Sequence, residues 1–314
     1  MHIARCLLLL FVSAFLFACS SDVSHVRYMP QNEVIETTGL AICDKKDNLA
    51  EINTQRPINV FIHGCNSSGG IDFRALAQVF EFHGQQTLCF NYNDRDSLEE
   101  SSAELIASLN RLTKQMGMSR ITVIGHSQGG LVARRAFIKD RADGLALLPD
   151  ANYRLITISS PFAGISASEH CGLTILHIAS LGISMGACQL ITGSKWSEIH
   201  PGSDFMMNPG SLCQDVGSYL KIVTDERNTC LIYDEDGSCK EDDFVFSVKE
   251  QYNATIDSDS RLKNIEVKAG HTEIVGDKDI APKKLIAILQ SNAILNPTPP
   301  ERKKEFETLL SFLY

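Results

Sequence analysis

The pentapeptide Gly125-His126-Ser127-Gln128-Gly129 places a serine between two glycines, directly after the apolar run 121–124. A serine hydroxyl attacks a carbonyl when the backbone holds it clear of its surroundings and a neighbouring base takes its proton. A sharp turn from a strand into a helix exposes the hydroxyl in this way and needs small residues on both sides, which Gly125 and Gly129 supply. Because so short a pattern also arises by chance, the elements and partners around Ser127 must decide its role.

A histidine is the expected base, and four histidines follow Ser127 in the chain: His170, His177, His200 and His271. Only His271 stands immediately after a strand-like run, 262–268, in the stretch Ala269-Gly270-His271. Gly270 would let the backbone turn so that the imidazole reaches the serine. A histidine in an ordinary surface loop is the alternative, but the position after a strand favours His271 as the base.

The carboxylate that orients the histidine is expected between the serine and His271, since serine, acid, histidine is the chain order when the serine turn stands on a parallel α/β sheet. The most economical place is the loop after the strand-like run 219–224. The aspartates of that loop are Asp225, Asp234, Asp236, Asp242 and Asp243.

Apolar β-branched runs alternate with amphipathic helical patterns through most of the chain. This alternation predicts an α/β fold with a doubly wound, mostly parallel sheet. Because ligands gather at the carboxyl ends of parallel strands, we expect His63-Gly64, Ser127 and Ser160-Pro161-Phe162 to lie at one edge. Strands are predicted at 57–62, 86–92, 120–124, 153–159, 219–224 and 262–268, and helices after Asp72, at 97–116, at 131–138 and at about 282–294.

The alternation stops between Gly164 and Gly210, where the chain is rich in Gly, Ser, Ile and Leu. An insertion at this point would lie above the ends of the strands. It predicts either a lid over the site or a structural excursion packed on the core, and the sequence does not separate the two.

In motif order, the chain resembles the lipase and carboxylesterase branch of the α/β-hydrolase superfamily. The resemblance extends over about 57–294 and depends on His63-Gly64, the pentapeptide around Ser127, the stretch Asp242-Asp243-Phe244-Val245 and His271. It implies a serine hydrolase that cleaves carboxylic esters through an acyl-enzyme, with Ser127 as nucleophile and His271 as base. The acid of these enzymes often stands in Asp-Gly-x-Val, which implies Asp242 here, with Asp243 in place of the glycine and as the nearest rival.

The negative charge that develops on the substrate oxygen needs fixed amide donors. The amide of Gln128 is one by the geometry of the turn, assisted by the dipole of the helix that begins there. His63-Gly64-Cys65 resembles the His-Gly-x oxyanion loop of bacterial lipases, which implies the Cys65 amide as the second donor.

The first nineteen residues are predicted to be an export signal, because Arg5 precedes the apolar stretch 6–17 and this stretch is short for a permanent membrane helix. Residues 16–19, Leu-Phe-Ala-Cys, resemble a bacterial lipoprotein signal, with 1–18 removed and Cys19 lipidated. Ser20 after the cysteine implies the outer membrane, facing the periplasm. We expect a leader at 19–56, the hydrolase domain at 57–295 and a helical tail at 296–314.

Eight further cysteines follow Cys19, and an even number in an exported chain favours disulfides. Short loops favour the pairs Cys171 with Cys188 and Cys230 with Cys239. No Cys-x-x-Cys occurs, which disfavours structural zinc.

The net charge of −9 without a basic cluster disfavours nucleic acid as a partner. The predicted chemistry requires no metal and no organic cofactor, and its substrate is a small-molecule or lipid ester. A thioesterase, amidase or acyltransferase would use the same residues. A binding protein that keeps the fold without turnover is the alternative from another class.

Overall fold

A computed structural model of the chain describes residues 33–36, 39–43, 49–65, 73–116, 119–149, 151–166 and 195–314. Cys19, the proposed lipidation site, and the pair Cys171 and Cys188 lie outside the described residues. So does 167–194, the middle of the predicted insertion. Within the described ranges, no helix combines the length and the apolar character that crossing a membrane requires.

A seven-stranded sheet forms the centre of the fold, in the order β11-β8-β7-β6-β4-β5-β2. Its neighbours are parallel except for β2, which pairs antiparallel with β5 at one edge. Two short antiparallel pairs, β1 with β3 and β9 with β10, stand apart from it. The strands are β1 Glu33–Glu36, β2 Leu40–Ala41, β3 Leu49–Ile52, β4 Ile58–Ile62, β5 Gln86–Phe90, β6 Ser119–His126, β7 Ala151–Ile158, β8 Val216–Asp225, β9 Cys230–Tyr233, β10 Cys239–Asp242 and β11 Leu262–Lys268.

Helices cover both faces of the central sheet. The described α-helices are α1 Arg74–Phe82, α2 Leu98–Met116, α3 Gln128–Ala136, α4 Trp196–Ile199, α5 Asp204–Met207, α6 Ala254–Asp257, α7 Lys283–Ser291 and α8 Lys303–Leu313. The apolar side chains of α2 and α3 belong to one core cluster, and those of α1, α7 and α8 belong to a second.

The strand β4 shows why two cores form. Ile58, Val60 and Ile62 point into the first cluster, whereas Phe61, between them, points into the second. Successive side chains of a strand face opposite sides, so a strand with apolar side chains on both faces must be covered on both. All five residues of β4 are buried. The predicted doubly wound, mostly parallel α/β fold is therefore confirmed.

The predicted strands and long helices all occur, with ends that differ by a few residues. The disulfide Cys230–Cys239 joins β9 to β10, as predicted. A second disulfide, Cys43–Cys89, links the segment after β2 to β5. The sequence did not indicate this pair, because 46 residues separate its cysteines and only the pairing of β2 with β5 brings them together.

Candidate functional site

Five parallel strands end at the same edge of the sheet, and each is followed by a residue of the candidate site. β4, β6, β7, β8 and β11 run side by side in one direction, so the loops at their carboxyl ends converge. Ligand sites of open α/β sheets form at this edge. The residues that follow these strands are Gly64, Ser127, Ser159, Glu226 and His271.

Ser127 stands between β6 and α3 with a backbone conformation that non-glycine residues seldom adopt, φ 54° and ψ −125°. Its amide donates to the carbonyl of Ile158 at 2.8 Å, which ties the turn to β7. The side chain is 2% exposed, and its Oγ makes no hydrogen bond to any described residue. Strain of this kind persists where the surrounding structure enforces it, and it is typical of functional sites.

Close packing around the turn explains its glycines. A Cβ on Gly125 would lie 2.4 Å from the carbonyl oxygen of Gly129. A Cβ on Gly129 would lie 2.3 Å from the carbonyl oxygen of Ile62 at the end of β4. Since real Cβ atoms do not approach backbone this closely, both positions require glycine for space. The predicted turn around Ser127 therefore has the tight geometry on which the chemistry depends.

His271 lies beside this turn and faces a carboxylate. Its Nδ1 is 3.0 Å from Oε1 of Glu226 and 3.0 Å from Oγ of Ser159. The rings of His126 and Phe246 contact the imidazole at centroid distances of 4.6 and 4.9 Å. A carboxylate at Nδ1 keeps the proton on that nitrogen and leaves Nε2 able to accept another.

Glu226 is 1% exposed, and both oxygens of its carboxylate accept hydrogen bonds. Oε1 accepts from the hydroxyls of Ser159 at 2.6 Å and Thr224 at 2.8 Å, while Oε2 accepts from the amides of Val245 at 2.7 Å and Phe246 at 2.8 Å. Burial by itself raises the pKa of this carboxyl, but the charge of His271 and these hydrogen bonds outweigh it and lower the pKa below its ordinary value. Glu226 is therefore ionised at neutral pH.

The prediction that Asp242 is the acid is corrected here, because the structure does not bring Asp242 to His271. Asp242 is the last residue of β10, a strand whose four residues are all exposed, and its Oδ1 accepts from the Phe244 amide at 3.2 Å. Glu226 directly follows β8 instead. The acid lies in the loop that the sequence indicates, but it is a glutamate and not one of the predicted aspartates. Chain order would have allowed a glutamate at the strand end.

Asp243, the rival, contacts the same loop in a different way. Its carboxylate accepts from the amides of Thr272 at 2.9 Å and Glu273 at 2.8 Å, and its carbonyl accepts from the amide of His271 at 3.0 Å. Burial raises the pKa of this carboxyl above its ordinary value, although the two amides lower it. A Cβ on Gly270 would lie 2.0 Å from Oδ2 of Asp243. Asp243 thus holds the backbone on which His271 stands.

The loop after β4 has the geometry expected of an amide donor. His63 Nδ1 is 2.8 Å from the carbonyl oxygen of Gly64, and Tyr92 stacks on the His63 ring and donates from its hydroxyl to the His63 carbonyl at 2.8 Å. Because C=O and N–H point in opposite directions across a trans peptide, fixing the Gly64 carbonyl turns the Cys65 amide away from His63. A Cβ on Gly64 would lie 3.1 Å from Cβ of Ser127, so this loop passes close to the serine.

Gln128 is the first residue of α3, so its amide is among those left without a partner inside the helix. Its side chain is 1% exposed and donates from Nε2 to the Asp94 carbonyl at 2.9 Å. Gln128 follows Ser127 directly, and Cys65 lines the same cavity as the serine. Their role as the two amide donors stays a prediction.

A cavity of about 440 Å³ contains these groups. Ser127, His271, Gly64 and Cys65 line it together, and Phe73, Val245, Val275, Leu313 and Tyr314 supply most of its apolar wall. Arg74, Asp277 and Lys278 add charge to the lining. The volume is in the range of small-molecule sites.

Two described parts of the predicted insertion 164–210 contact each other on the core. The Ile165 amide donates to the Ile199 carbonyl at 3.0 Å, and a Cβ on Gly164 would lie 2.7 Å from Pro201. Whether the part between them covers the site stays a prediction.

Residues 53–197 match the family model described as a putative serine esterase, DUF676. The match includes Cys65, Ser127, Gln128 and Lys195 and ends before Glu226 and His271. It agrees with the esterase part of the resemblance drawn from the sequence and supports an ester-hydrolysing enzyme. A search of curated proteins found no match.

Several solved structures are similar to the chain at low identity. The mature lipase BlEst2 of Bacillus licheniformis is 15% identical, with 77% of this chain and 93% of that chain covered and a TM-score of 0.47. Esterase 2 of Thermogutta terrifontis, phosphonylated by sarin, is 15% identical, with coverage of 86% and 98% and a TM-score of 0.48. Esterase B of Lactobacillus rhamnosis HN001 is 13% identical, with coverage of 83% and 78% and a TM-score of 0.46.

Proposed function

We propose that this chain, which carries a serine esterase match over residues 53–197, hydrolyses carboxylic esters of small molecules or lipids through an acyl-enzyme on Ser127. One observation carries the proposal. Ser127 occupies a strained turn in the same cavity as His271, and Nδ1 of that histidine faces the buried carboxylate of Glu226. A nucleophile, a base and an acid are thus available at one edge of the sheet.

In the first step Ser127 Oγ attacks the acyl carbonyl while Nε2 of His271 takes the hydroxyl proton. Glu226 holds Nδ1–H and stabilises the imidazolium that forms. The amides of Cys65 and Gln128 donate to the oxyanion of the tetrahedral intermediate. The imidazolium then gives its proton to the leaving alkoxide, and the alcohol departs.

Water completes the cycle. His271 takes a proton from the water as its oxygen attacks the acyl carbonyl, a second tetrahedral intermediate forms at the same amides, and the carboxylic acid leaves as Ser127 regains its proton. Ser127 and His271, which exchange the proton in both steps, line the same cavity, and Glu226 contacts His271.

Turnover of p-nitrophenyl esters from acetate to octanoate tests the proposal, with a thioester and an anilide of the same acyl group beside them. We expect the esters to be cleaved and Ser127→Ala to be inactive. Preferred cleavage of the thioester or the anilide would move the assignment to a thioesterase or an amidase. A folded wild-type protein that cleaves none of them would instead indicate a binding protein.

We also propose that Cys19 is lipidated and holds the protein in the bacterial cell envelope, on the outer membrane facing the periplasm. The proposal depends on the resemblance of 16–19 to a lipoprotein signal. Metabolic labelling with palmitate tests it, because Cys19→Ser should abolish incorporation while Ser127→Ala keeps it.

A further inference from the structure

Lys195 places a fully buried ammonium next to the candidate site. It is 0% exposed and immediately precedes α4, at the point where the described chain resumes after the insertion. Burying an ammonium is unfavourable unless nearby groups replace its water. A lysine in this place is therefore expected to have partners that matter.

The partners of Lys195 are the side chains of the two residues that carry the proposed oxyanion amides. Nζ donates to Sγ of Cys65 at 2.9 Å and to Oε1 of Gln128 at 2.7 Å, and its remaining described contact is the carbonyl of Asp94. Gln128 donates to that same carbonyl through Nε2 at 2.9 Å. One ammonium thus bridges the loop after β4 and the first turn of α3.

The thiol that Lys195 contacts remains neutral at ordinary pH. Burial raises the pKa of Cys65, the Asp94 carboxylate raises it as well, and the Lys195 ammonium offsets these effects only in part. The contact is therefore a hydrogen bond from an ammonium to a neutral sulfur rather than an ion pair. The positive charge of Lys195 is therefore not neutralised by a thiolate and contributes to the electrostatic potential around the two amides.

The segment that carries Lys195 is itself firmly attached to the core. Glu198, one turn further on, accepts from the Ser97 hydroxyl at 2.6 Å and from the amide of Leu98, the first residue of α2. A carboxylate at a helix N-terminus satisfies amides that otherwise lack partners and is favoured by the dipole. The contact of Glu198 with the N-terminus of α2 thus anchors the segment that carries Lys195.

We propose that Lys195 is a positioning residue for ester hydrolysis. It holds the Cys65 and Gln128 amides in fixed positions relative to each other and places a positive charge close to the oxyanion that they bind. The inference depends on the proposed function, since it concerns the same tetrahedral intermediate. Donors that are fixed before the reaction stabilise a transition state without reorganisation, so loosening them lowers kcat more than it changes substrate binding.

Lys195→Met tests the proposal, because methionine fills a similar volume without charge or donors. We expect kcat for a p-nitrophenyl ester to fall about 10- to 100-fold with KM changed less than threefold, somewhat less than the loss of a whole oxyanion donor causes. Phenylboronic acid, which forms a tetrahedral anionic adduct with a serine oxygen, should bind more weakly by a similar factor. A role in packing alone would not move kcat and the boronate Ki together.

Lys221→Met is the matched control. Lys221 is also a buried lysine, 2% exposed, but its Nζ contacts Asp257 and the Gln251 carbonyl, away from Ser127. We expect this variant to lose thermal stability and to keep kcat and the boronate Ki within about twofold of the wild type. Equal losses of kcat in the two variants would overturn the inference.

Gln128→Met keeps the proposal testable should Lys195→Met not fold. It removes the Oε1 acceptor and retains the main-chain amide, so kcat and boronate binding should again fall together. Unchanged values in either folded variant would contradict the role of Lys195. The proposed function fails separately, when wild-type protein neither turns over esters nor binds the boronate.

Discussion

Replacing Glu226 by glutamine tests the assignment of the acid, because the shape of the side chain is kept and one acceptor becomes a donor. In the wild type Oε1 faces Nδ1 of His271 at 3.0 Å, and Oε2 accepts from the Val245 and Phe246 amides. A glutamine has two orientations in this pocket, and both are unfavourable. With its NH₂ toward the two amides, donors face donors; with its NH₂ toward His271, Nδ1 must accept and the ring proton moves to Nε2.

The second orientation removes the base that Ser127 needs, because Nε2 then carries the proton. A wrong tautomer of this kind costs about 10⁴-fold in kcat in serine proteases, so we expect a loss of about 10³- to 10⁴-fold here. The first orientation keeps the tautomer but loses two hydrogen bonds to buried amides, each costing about 1–3 kcal/mol of stability. Glu226→Gln should therefore lose most of its activity and some stability.

Initial rates with a p-nitrophenyl ester, together with denaturant unfolding, measure both effects. Asp242→Asn is the matched control and should keep kcat within about twofold, because its side chain is exposed and does not contact His271. A Glu226→Gln enzyme with near wild-type kcat, or an Asp242→Asn enzyme with a loss of 10³-fold, would refute the reasoning.

Three further predictions concern the pH dependence of stability, the space at Gly270 and the two disulfides. The pKa of Glu226 is lower in the folded state, so the ionised carboxylate stabilises the fold fully above its unfolded pKa of about 4.3, and this stabilisation is lost as pH falls through the folded pKa. The difference in unfolding free energy between wild type and Glu226→Gln should therefore shrink from pH 7 to pH 3. Gly270→Ala should lower the free energy of unfolding by about 1–3 kcal/mol and lower kcat, because the new Cβ would lie 2.0 Å from the Asp243 carboxylate. Gly237→Ala is the control: its Cβ would meet nothing within 4 Å, so kcat should stay unchanged, although the positive φ of Gly237 makes this variant less stable as well. Loss of the Cys43–Cys89 disulfide should destabilise the folded protein by about 4 kcal/mol, and loss of Cys230–Cys239 by about 2.6 kcal/mol, because the first disulfide closes the longer loop. Equal melting temperatures of the two double-alanine variants would contradict this order.

The fold could be predicted from the sequence because both faces of its central strands are buried. Largely apolar runs such as 58–62 and 121–124, separated by amphipathic helical patterns, have few other arrangements. Ser127 and His271 followed from the same logic, since each stands just beyond the end of a strand. The edge strand β2 is only two residues long, too short for a periodic signal, so the disulfide that depends on it was missed.

The acid required three-dimensional information. Glu226 precedes the β9–β10 hairpin and Asp242 ends it, and nothing in their spacing indicates which carboxylate contacts His271. The role of Gly270 also differs from the expectation: it provides room for the Asp243 carboxylate and does not adopt a positive φ. Lys195 carried no signal at all, because a single lysine beside an insertion resembles any surface lysine until its burial is known.

Mass-spectrometric mapping of a fluorophosphonate adduct tests the central claim most directly, that Ser127 is activated by His271 and Glu226. The account predicts one adduct on the peptide containing Ser127, no adduct in Ser127→Ala, and labelling slowed by several hundredfold or more in Glu226→Gln. A folded wild-type protein that remains unlabelled, or that is labelled at another serine, would contradict it.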